Sequence, residues 1–143
     1  MIVESVFPEN YPELLDVWEN SVRATHDFIT DADIESFKPM LVEQAFPAVS
    51  LHCVKNTEGD IQGFVGVLNG KIEMLFVLDE VRGSGIGSEL LRFATENLNA
   101  TKVDVNEQNP QATGFYLHKG FKVVSRSPVD DMGKPFPILH MSL

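Results

Sequence analysis

The sequence predicts an α/β fold in which helices flank a mixed sheet, within one domain spanning residues 1–143. Two observations predict it. Apolar residues first recur at helical spacing and then alternate along three short segments joined by turns, which is typical of a meander. Strands and helices alternate in the second half of the chain, and such crossovers leave helices on the faces of a sheet.

The first predicted elements are two helices. Asn10 is a candidate N-cap with Glu13 three residues later, a spacing typical of a capping box. Apolar residues then follow at helical spacing: Leu14, Leu15, Trp18 and Val22. A second helix is predicted within Asp33–Phe46, where one face carries Ile34, Phe37, Leu41 and Ala45.

The meander comprises three strands, predicted at Val49–Asn56, Ile61–Leu68 and Lys71–Leu78. Asn69-Gly70, between the second and third strands, is typical of a two-residue hairpin turn. A glycine-rich turn follows the third strand and leads into an apolar helix that extends to about residue 98.

The remaining chain alternates between strands and helices. A strand is predicted at Lys102–Asn106, and Asn109-Pro110 is a cap followed by proline at the first helical position. That helix is expected to stop at Gly120, a residue suited to a left-handed cap. Two closing strands are predicted at Phe121–Arg126 and Pro137–Leu143.

Composition excludes several function classes. A formal net charge of −10 argues against nucleic acid or an anionic membrane as a partner, and it is compatible with a cationic substrate. The lone cysteine, Cys53, is expected to be a buried thiol and excludes an internal disulfide, while four histidines without ligand spacing predict no metal site. The amino-terminal residues do not resemble a signal peptide, and apolar runs such as Met74–Leu78 are too short to span a bilayer, so a cytoplasmic protein is expected.

The turn in EVRGSGIGSELL, residues 80–91, has the properties of a phosphate cradle. Its N–H groups and the positive end of the following helix dipole point the same way, and glycine lets an anion approach the backbone closely. The lysine of a P-loop is missing, and the glycine spacing differs from that of the dinucleotide fingerprint. A tight turn without a ligand is the alternative. The predicted ligand-binding residues are Arg82, Gly83, Ser84, Gly85, Ile86, Gly87 and Ser88.

Two motifs together resemble the GNAT superfamily of acyl-CoA-dependent N-acyltransferases. The first is Arg82-Gly83-Ser84-Gly85-Ile86-Gly87 after the apolar run Met74-Leu75-Phe76-Val77, and the second is Asn109 followed by Phe115-Tyr116 and Gly120-Phe121. Nearly the whole chain takes part in the resemblance. The stretches at 21–28 and 129–135 are similar to a subgroup of small bacterial acetyltransferases. The resemblance implies a mostly antiparallel central sheet with two splayed strands.

The resemblance also assigns roles to residues. It implies that acetyl-CoA, with no metal, is the co-substrate, bound by the cradle, by the strand segment Leu75, Phe76 and Val77, and by Asn109. Tyr116 is implied to protonate the departing thiolate, although by its pattern alone an aromatic residue on an apolar stripe is more typical of a core. Glu73 is the candidate general base, because alternation along the strand would place it on one face with Leu75 and Val77, and a solvated strand carboxylate is the alternative. His26 is its rival, and a helix-end histidine held by a neighbour is the alternative there. The candidate acceptor-binding residues are His26, Phe28, Glu73 and Asn106.

The predicted activity is acetyl transfer to a primary amine, carried by a small molecule or a peptide, in a monomer or homodimer. An acyl-CoA-binding sensor without turnover is the alternative, and Tyr116 favours the enzyme. A nucleotide-binding module is disfavoured because the lysine and the ribose-binding acid are missing.

Overall fold

A computed structural model describes residues 1–26 and 29–143. Its strands are β1 (Val3–Ser5), β2 (Ser50–Lys55), β3 (Ile61–Leu68), β4 (Lys71–Val77), β5 (Lys102–Asn106), β6 (Lys122–Ser127) and β7 (Ile138–Ser142). Its α-helices are α1 (Tyr11–Thr25), α2 (Asp31–Met40), α3 (Phe46–Ala48), α4 (Ile86–Asn97) and α5 (Pro110–His118), and a π-helical segment, Leu41–Ala45, joins α2 to α3. No helix in this described part of the chain is both long and apolar enough to cross a membrane.

In the described residues, seven strands form one sheet in the order β1-β2-β3-β4-β5-β7-β6. Neighbouring strands are antiparallel except β4 and β5, which are parallel. This architecture confirms the predicted mixed, mostly antiparallel sheet flanked by helices. The crossover through α4 explains the parallel pair, because a parallel connection needs a long return segment.

The predicted capping of α1 is wrong. Asn10 Oδ1 accepts a hydrogen bond at 2.9 Å from the N–H of Phe7, a residue that precedes the helix. Glu13 Oε2 accepts one from the Ile61 N–H of β3 at 2.7 Å, so this carboxylate joins α1 to the sheet. A capping box is found instead at α2, where Thr30 and Asp33 exchange side-chain and backbone hydrogen bonds at 3.1 Å.

Two hydrophobic cores lie on opposite faces of the sheet. One packs α4 and the end of α5 against the strands, and it includes Leu90, Val103, Tyr116, Phe121 and Met141. The other packs α1 to α3 against β2 to β4, and it includes Leu14, Trp18, Ile34, Phe46 and Phe64. Cys53 is 1% exposed in this second core, which confirms the expected buried thiol.

Strand β4 contains a β-bulge at Glu73. The register against β3 shifts so that Glu73 is an extra residue on β4. Ile72 therefore lies in the core with α4, and Met74 lies in the core with α1. Simple alternation would have placed both residues on one face, so the bulge reverses the orientation of the rest of β4.

The contact between β4 and β5 is short. Among the described residues, the two strands pair only at Lys71↔Lys102 and Ile72↔Val103, although both continue further. The remaining length of β4 is paired with β3 alone. The sheet thus has a gap between β4 and β5, as expected for splayed strands.

Candidate active site

A cavity of about 370 Å³ lies at the carboxyl end of β4, between the glycine turn and α5. The end of β4 contributes Leu75, Phe76 and Val77 to its wall. Seven more of the predicted cofactor-binding residues, from the turn, the start of α4 and the cap of α5, also line it: Arg82, Gly83, Gly85, Ile86, Gly87, Ser88 and Asn109. The predicted cofactor-binding residues are therefore brought together in one cavity, apart from Ser84, whose N–H and hydroxyl group both donate to the Val81 carbonyl oxygen.

The glycine turn has the backbone geometry of a cradle. Gly83 and Gly85 have φ angles of +82° and +91°, which an L side chain rarely adopts. A Cβ added at either residue would meet open space, so the concavity has room for a ligand group. Gly85 is the N-cap of α4, and the first intrahelical bond runs from the Glu89 N–H to its carbonyl oxygen. The N–H groups of the first turn lie ahead of that bond and suit an anion such as a pyrophosphate.

Asn109 fixes the start of α5 at the same cavity. Its Oδ1 accepts a hydrogen bond from the Ala112 N–H at 3.1 Å, which confirms the predicted N-cap. The side chain is buried and lines both this cavity and a second one. The cap therefore sets the direction in which α5 carries Tyr116.

A second cavity, of about 130 Å³, opens between β4 and β5 where their pairing has ended. Glu73, Asp104, Asn106 and His26 are in its wall. Tyr116 lines both cavities. The gap in the sheet thus connects a cradle for an anion on one side with a carboxylate-bearing cavity on the other.

Tyr116 is only 5% exposed, and its ring packs against Phe115 and Phe121 with centroid distances of 5.2 and 5.4 Å. Burial raises the pKa of its phenol well above the ordinary value, because the phenolate would lose its hydration. The group therefore stays protonated at neutral pH and can donate a hydrogen bond, but it is a weaker acid than a free tyrosine.

Glu73 lies beside the second cavity, although not for the predicted reason. The expectation that it shares a strand face with Leu75 and Val77 assumed unbroken alternation, which does not hold across the bulge. Bulges commonly redirect a side chain near an active site. Asn106, at the end of β5, accepts the Gln108 N–H at 2.8 Å and lines the same cavity.

His26 lies at the end of α1 and faces both cavities. Thr25 Oγ1 donates to the Ser21 carbonyl oxygen at 2.8 Å and lies 2.7 Å from His26 Nδ1. A hydroxyl group has one proton, so the second contact is a hydrogen bond when His26 Nδ1 carries a hydrogen, and in that neutral tautomer Nε2 is the nitrogen without one. Phe28, the fourth predicted acceptor residue, lies outside the described residues.

Sequence reasoning missed several residues of the site. Ser21 and Thr25 line the larger cavity, and they lie one helical turn apart on the face of α1 that ends at His26. Asp104 lines the smaller cavity, and its position two residues before Asn106 on β5 was the available signal. Within the described residues no group of three or more histidine, cysteine, aspartate or glutamate side chains could hold a metal ion.

Residues 23–142 match the protein family described as "Acetyltransferase (GNAT) domain". The chain is 38% identical over 133 residues to the peptidyl-lysine N-acetyltransferase YjaB of Salmonella typhimurium, and the match covers 93% of this chain and 91% of that protein. The solution structure of apo-form YjaB from Escherichia coli superposes with a TM-score of 0.87 at 34% identity, covering 99% of this chain and 97% of that one.

A PaiA N-acetyltransferase from Thermoplasma acidophilum, solved in complex with coenzyme A, superposes with a TM-score of 0.73 at 19% identity. The match covers 99% of this chain and 98% of that chain. At this level of identity the likeness concerns the fold.

Proposed function

The chain belongs to the GNAT acetyltransferase family and is an N-acetyltransferase, and from that premise we propose that it acetylates the side-chain amine of lysine in a protein or peptide. Acetyl-CoA is the acetyl donor of this family. The lysine acceptor is supported by the name of the Salmonella relative, which matches nearly the full length of the chain.

The observation that carries the proposal is the meeting of the two cavities at Tyr116. One cavity has a cradle for phosphate groups, and the other has carboxylates suited to a cationic amine. Transfer of an acetyl group requires donor and acceptor to reach one point from two directions, and the gap between β4 and β5 supplies that passage.

The larger cavity fits the donor. Acetyl-CoA, when bound, supplies an activated acetyl thioester. The N–H groups of residues 83–88 would hold its pyrophosphate, and the backbone of Leu75 and Val77 would pair with its pantetheine arm. We assign the Val77 N–H to the thioester carbonyl oxygen, where a preorganised donor stabilises the negative charge that develops during attack. Arg82 lies beside the cradle, where Asp79 is its ion-pair partner at 3.5 Å.

The smaller cavity fits the acceptor. An alkylamine is an ammonium ion at neutral pH and must lose a proton before its nitrogen can attack. We assign Glu73 as the base, either directly or through a water molecule, and His26 Nε2 as the competing candidate. The new N–C bond forms as the C–S bond breaks, and each turnover releases one proton to solvent.

Tyr116 is assigned as the acid that protonates the leaving sulfur. Its phenol is protonated at neutral pH, and its position in the wall of both cavities lets it act on a group entering from the donor side. The N-cap at Asn109 orients the helix that carries it.

The test compares wild type with Tyr116→Phe, using Tyr11→Phe as the matched control because Tyr11 packs against Phe46 away from both cavities. Acetyl-CoA binding is measured by calorimetry, and thiol release is measured with a lysine peptide, a peptide whose amino terminus is its sole amine, and a polyamine. We expect the lysine peptide to be preferred. We also expect kcat to fall about a hundredfold in Tyr116→Phe with little change in acetyl-CoA affinity.

Three outcomes would contradict parts of the proposal. Unchanged kcat in Tyr116→Phe would remove the acid role, and preference for another amine would replace the acceptor. Binding of acetyl-CoA without acetylation of any amine would favour a sensor.

A further inference from the structure

Four hydrogen-bonded side chains form a line across one face of the sheet. Lys71 Nζ lies 2.6 Å from Asp104 Oδ2, His140 Nδ1 lies 2.7 Å from Asp104 Oδ1, and Ser127 Oγ lies 2.7 Å from His140 Nε2. These residues belong to β4, β5, β7 and β6, which are adjacent in that order. We call them the cross-sheet chain.

The cross-sheet chain holds the Asp104 carboxylate from two sides. A carboxylate only accepts hydrogen bonds, so Lys71 and His140 Nδ1 are the donors, and a further hydrogen bond joins His140 Nε2 to the Ser127 hydroxyl group. Burial opposes ionisation of Asp104, but the hydrogen bonds from Lys71 and His140 outweigh it and lower the pKa of that carboxyl. Asp104 is therefore a fixed negative charge.

The cross-sheet chain lies where the β4–β5 ladder ends. Lys71 belongs to one of the two residue pairs joining these strands, whereas Asp104 is one residue beyond the last paired residue of β5, Val103. Asp104 lies directly opposite His140 in the register of β5 and β7. The Lys71–Asp104 contact thus spans the mouth of the gap, where the backbone ladder no longer joins the two strands.

We propose that Lys71 and Asp104 are positioning residues that fix the separation of β4 and β5 at the gap, with His140 and Ser127 holding Asp104 in place. The inference rests on the proposed function, because the separation aligns a donor bound along β4 with Tyr116 on α5. Ion pairs that remain partly open to solvent, as Lys71–Asp104 does, add little to stability. A displacement of about 1 Å in a reacting group, in contrast, lowers a rate by up to about a hundredfold. The effect of the pair is therefore expected in catalysis more than in stability.

Lys71 is the residue to change first. Glu73 and Asp131 also interact electrostatically with Lys71, so removing Asp104 alone would leave the ammonium group with other carboxylates to contact. Lys71→Met removes the ammonium group and keeps an unbranched apolar chain on the strand. Lys55→Met is the matched control, because Lys55 makes a cross-strand ion pair with Glu4 at 4.0 Å between β2 and β1, away from the gap.

The experiment measures kcat and KM, acetyl-CoA affinity by calorimetry, the melting temperature and amide hydrogen exchange in the ligand-free protein. In Lys71→Met we expect kcat to fall about tenfold and faster exchange in residues 74–77 and 105–109. Lys55→Met should match wild type in all of these except for a small change in melting temperature. Lys71→Arg should recover most of the loss, because arginine also pairs with a carboxylate.

A double-mutant cycle completes the test. Asp104 also lines the smaller cavity, so Asp104→Asn is measured on its own beside Lys71→Met and the double variant. If Lys71 and Asp104 act through each other, the double variant should lose less activity than the two single losses combined. Wild-type kcat and exchange in Lys71→Met would overturn the inference, as would losses that merely follow a lower melting temperature in both lysine variants. If wild type fails to bind acetyl-CoA, the proposed function fails, while exchange in the ligand-free protein still decides whether Lys71 fixes the gap.

Discussion

Tyr116 lies both in a packed core and in the wall of the candidate site, two settings that its sequence pattern presents as alternatives. Its ring packs against Phe115 and Phe121 in the core, as an aromatic residue on an apolar stripe would. It also lines both cavities where they meet. Packing fixes the orientation of the ring, as the proposed acid role requires, whereas burial raises the pKa of the phenol and makes it a weaker acid than a free tyrosine.

Burial of Tyr116 predicts a pH effect on stability. The pKa of its phenol is raised in the folded protein, whereas an unfolded chain ionises tyrosine above about pH 10. The contribution of the buried neutral phenol to the free energy of unfolding is therefore fully present below that pH. Above it, this contribution falls by up to about 1.4 kcal/mol per pH unit. Denaturant unfolding between about pH 9 and pH 11 should show a shallower fall in the free energy of unfolding for Tyr116→Phe. Equal slopes would mean that the folded protein already ionises the phenol.

The two candidate general bases can be distinguished by which substitution, at Glu73 or at His26, lowers the activity. If Glu73 takes the proton, Glu73→Gln should lower kcat/KM for the lysine peptide by about a hundredfold, and His26→Gln should have a small effect. Glu58→Gln, in the turn between β2 and β3, is the control for loss of one negative charge. A large loss in His26→Gln with near-normal Glu73→Gln would transfer the assignment to His26.

At the scale of elements, substitutions in two glycine-containing turns distinguish a loss of stability from a loss of ligand binding. Gly85 and Gly59 both have positive φ angles, +91° and +88°, with open space around an added Cβ. Replacing either glycine with alanine should therefore lower the free energy of unfolding by about 1–2 kcal/mol, because the backbone is strained for an L side chain. We expect only Gly85→Ala to weaken acetyl-CoA binding, because Gly59 lies in the β2–β3 turn away from the cavity. Equal affinity in the two variants, measured by calorimetry, would contradict the cradle.

Elements with strong local signals could be predicted from the sequence. Strand β3 was predicted with its observed bounds, as was β5. Asn69 and Gly70 have φ angles of +50° and +78°, as the predicted hairpin turn requires, and Gly120 ends α5 at +98°. These features depend on neighbouring residues alone, and the matching protein family confirms the GNAT resemblance built on them.

Features that depend on distant partners could not be predicted. Strand β1 has three residues and exists through its pairing with β2. Glu13 fits a capping box by spacing, yet its carboxylate accepts a hydrogen bond from the Ile61 N–H of a distant strand. The bulge at Glu73 depends on the register against β3. The candidate site was predicted as a set of residues, whereas the second cavity and Asp104 became visible only from the arrangement of strands.

At the scale of the molecule, the net charge of −10 predicts a salt effect on the acceptor. A negative protein attracts a cationic peptide over a distance that salt shortens. With saturating acetyl-CoA, kcat/KM for a lysine-rich peptide should fall roughly threefold to tenfold when the salt concentration is raised from about 20 to about 300 mM. A peptide with one lysine among serines should respond less. Equal responses would mean that long-range charge does not select the acceptor.

The short β4–β5 ladder also bears on how the chain folds during synthesis. Strands β1 to β4 pair among themselves, and β2, β3 and β4 pair with sequence neighbours, so these contacts close early. Strand β5 joins them through two residue pairs. We therefore expect the first 97 residues, with α4 included, to assemble on the ribosome as a cooperative unit before β5 to β7 emerge. The place where β4 and β5 separate is then also the boundary between an early-folding and a late-folding part of the chain.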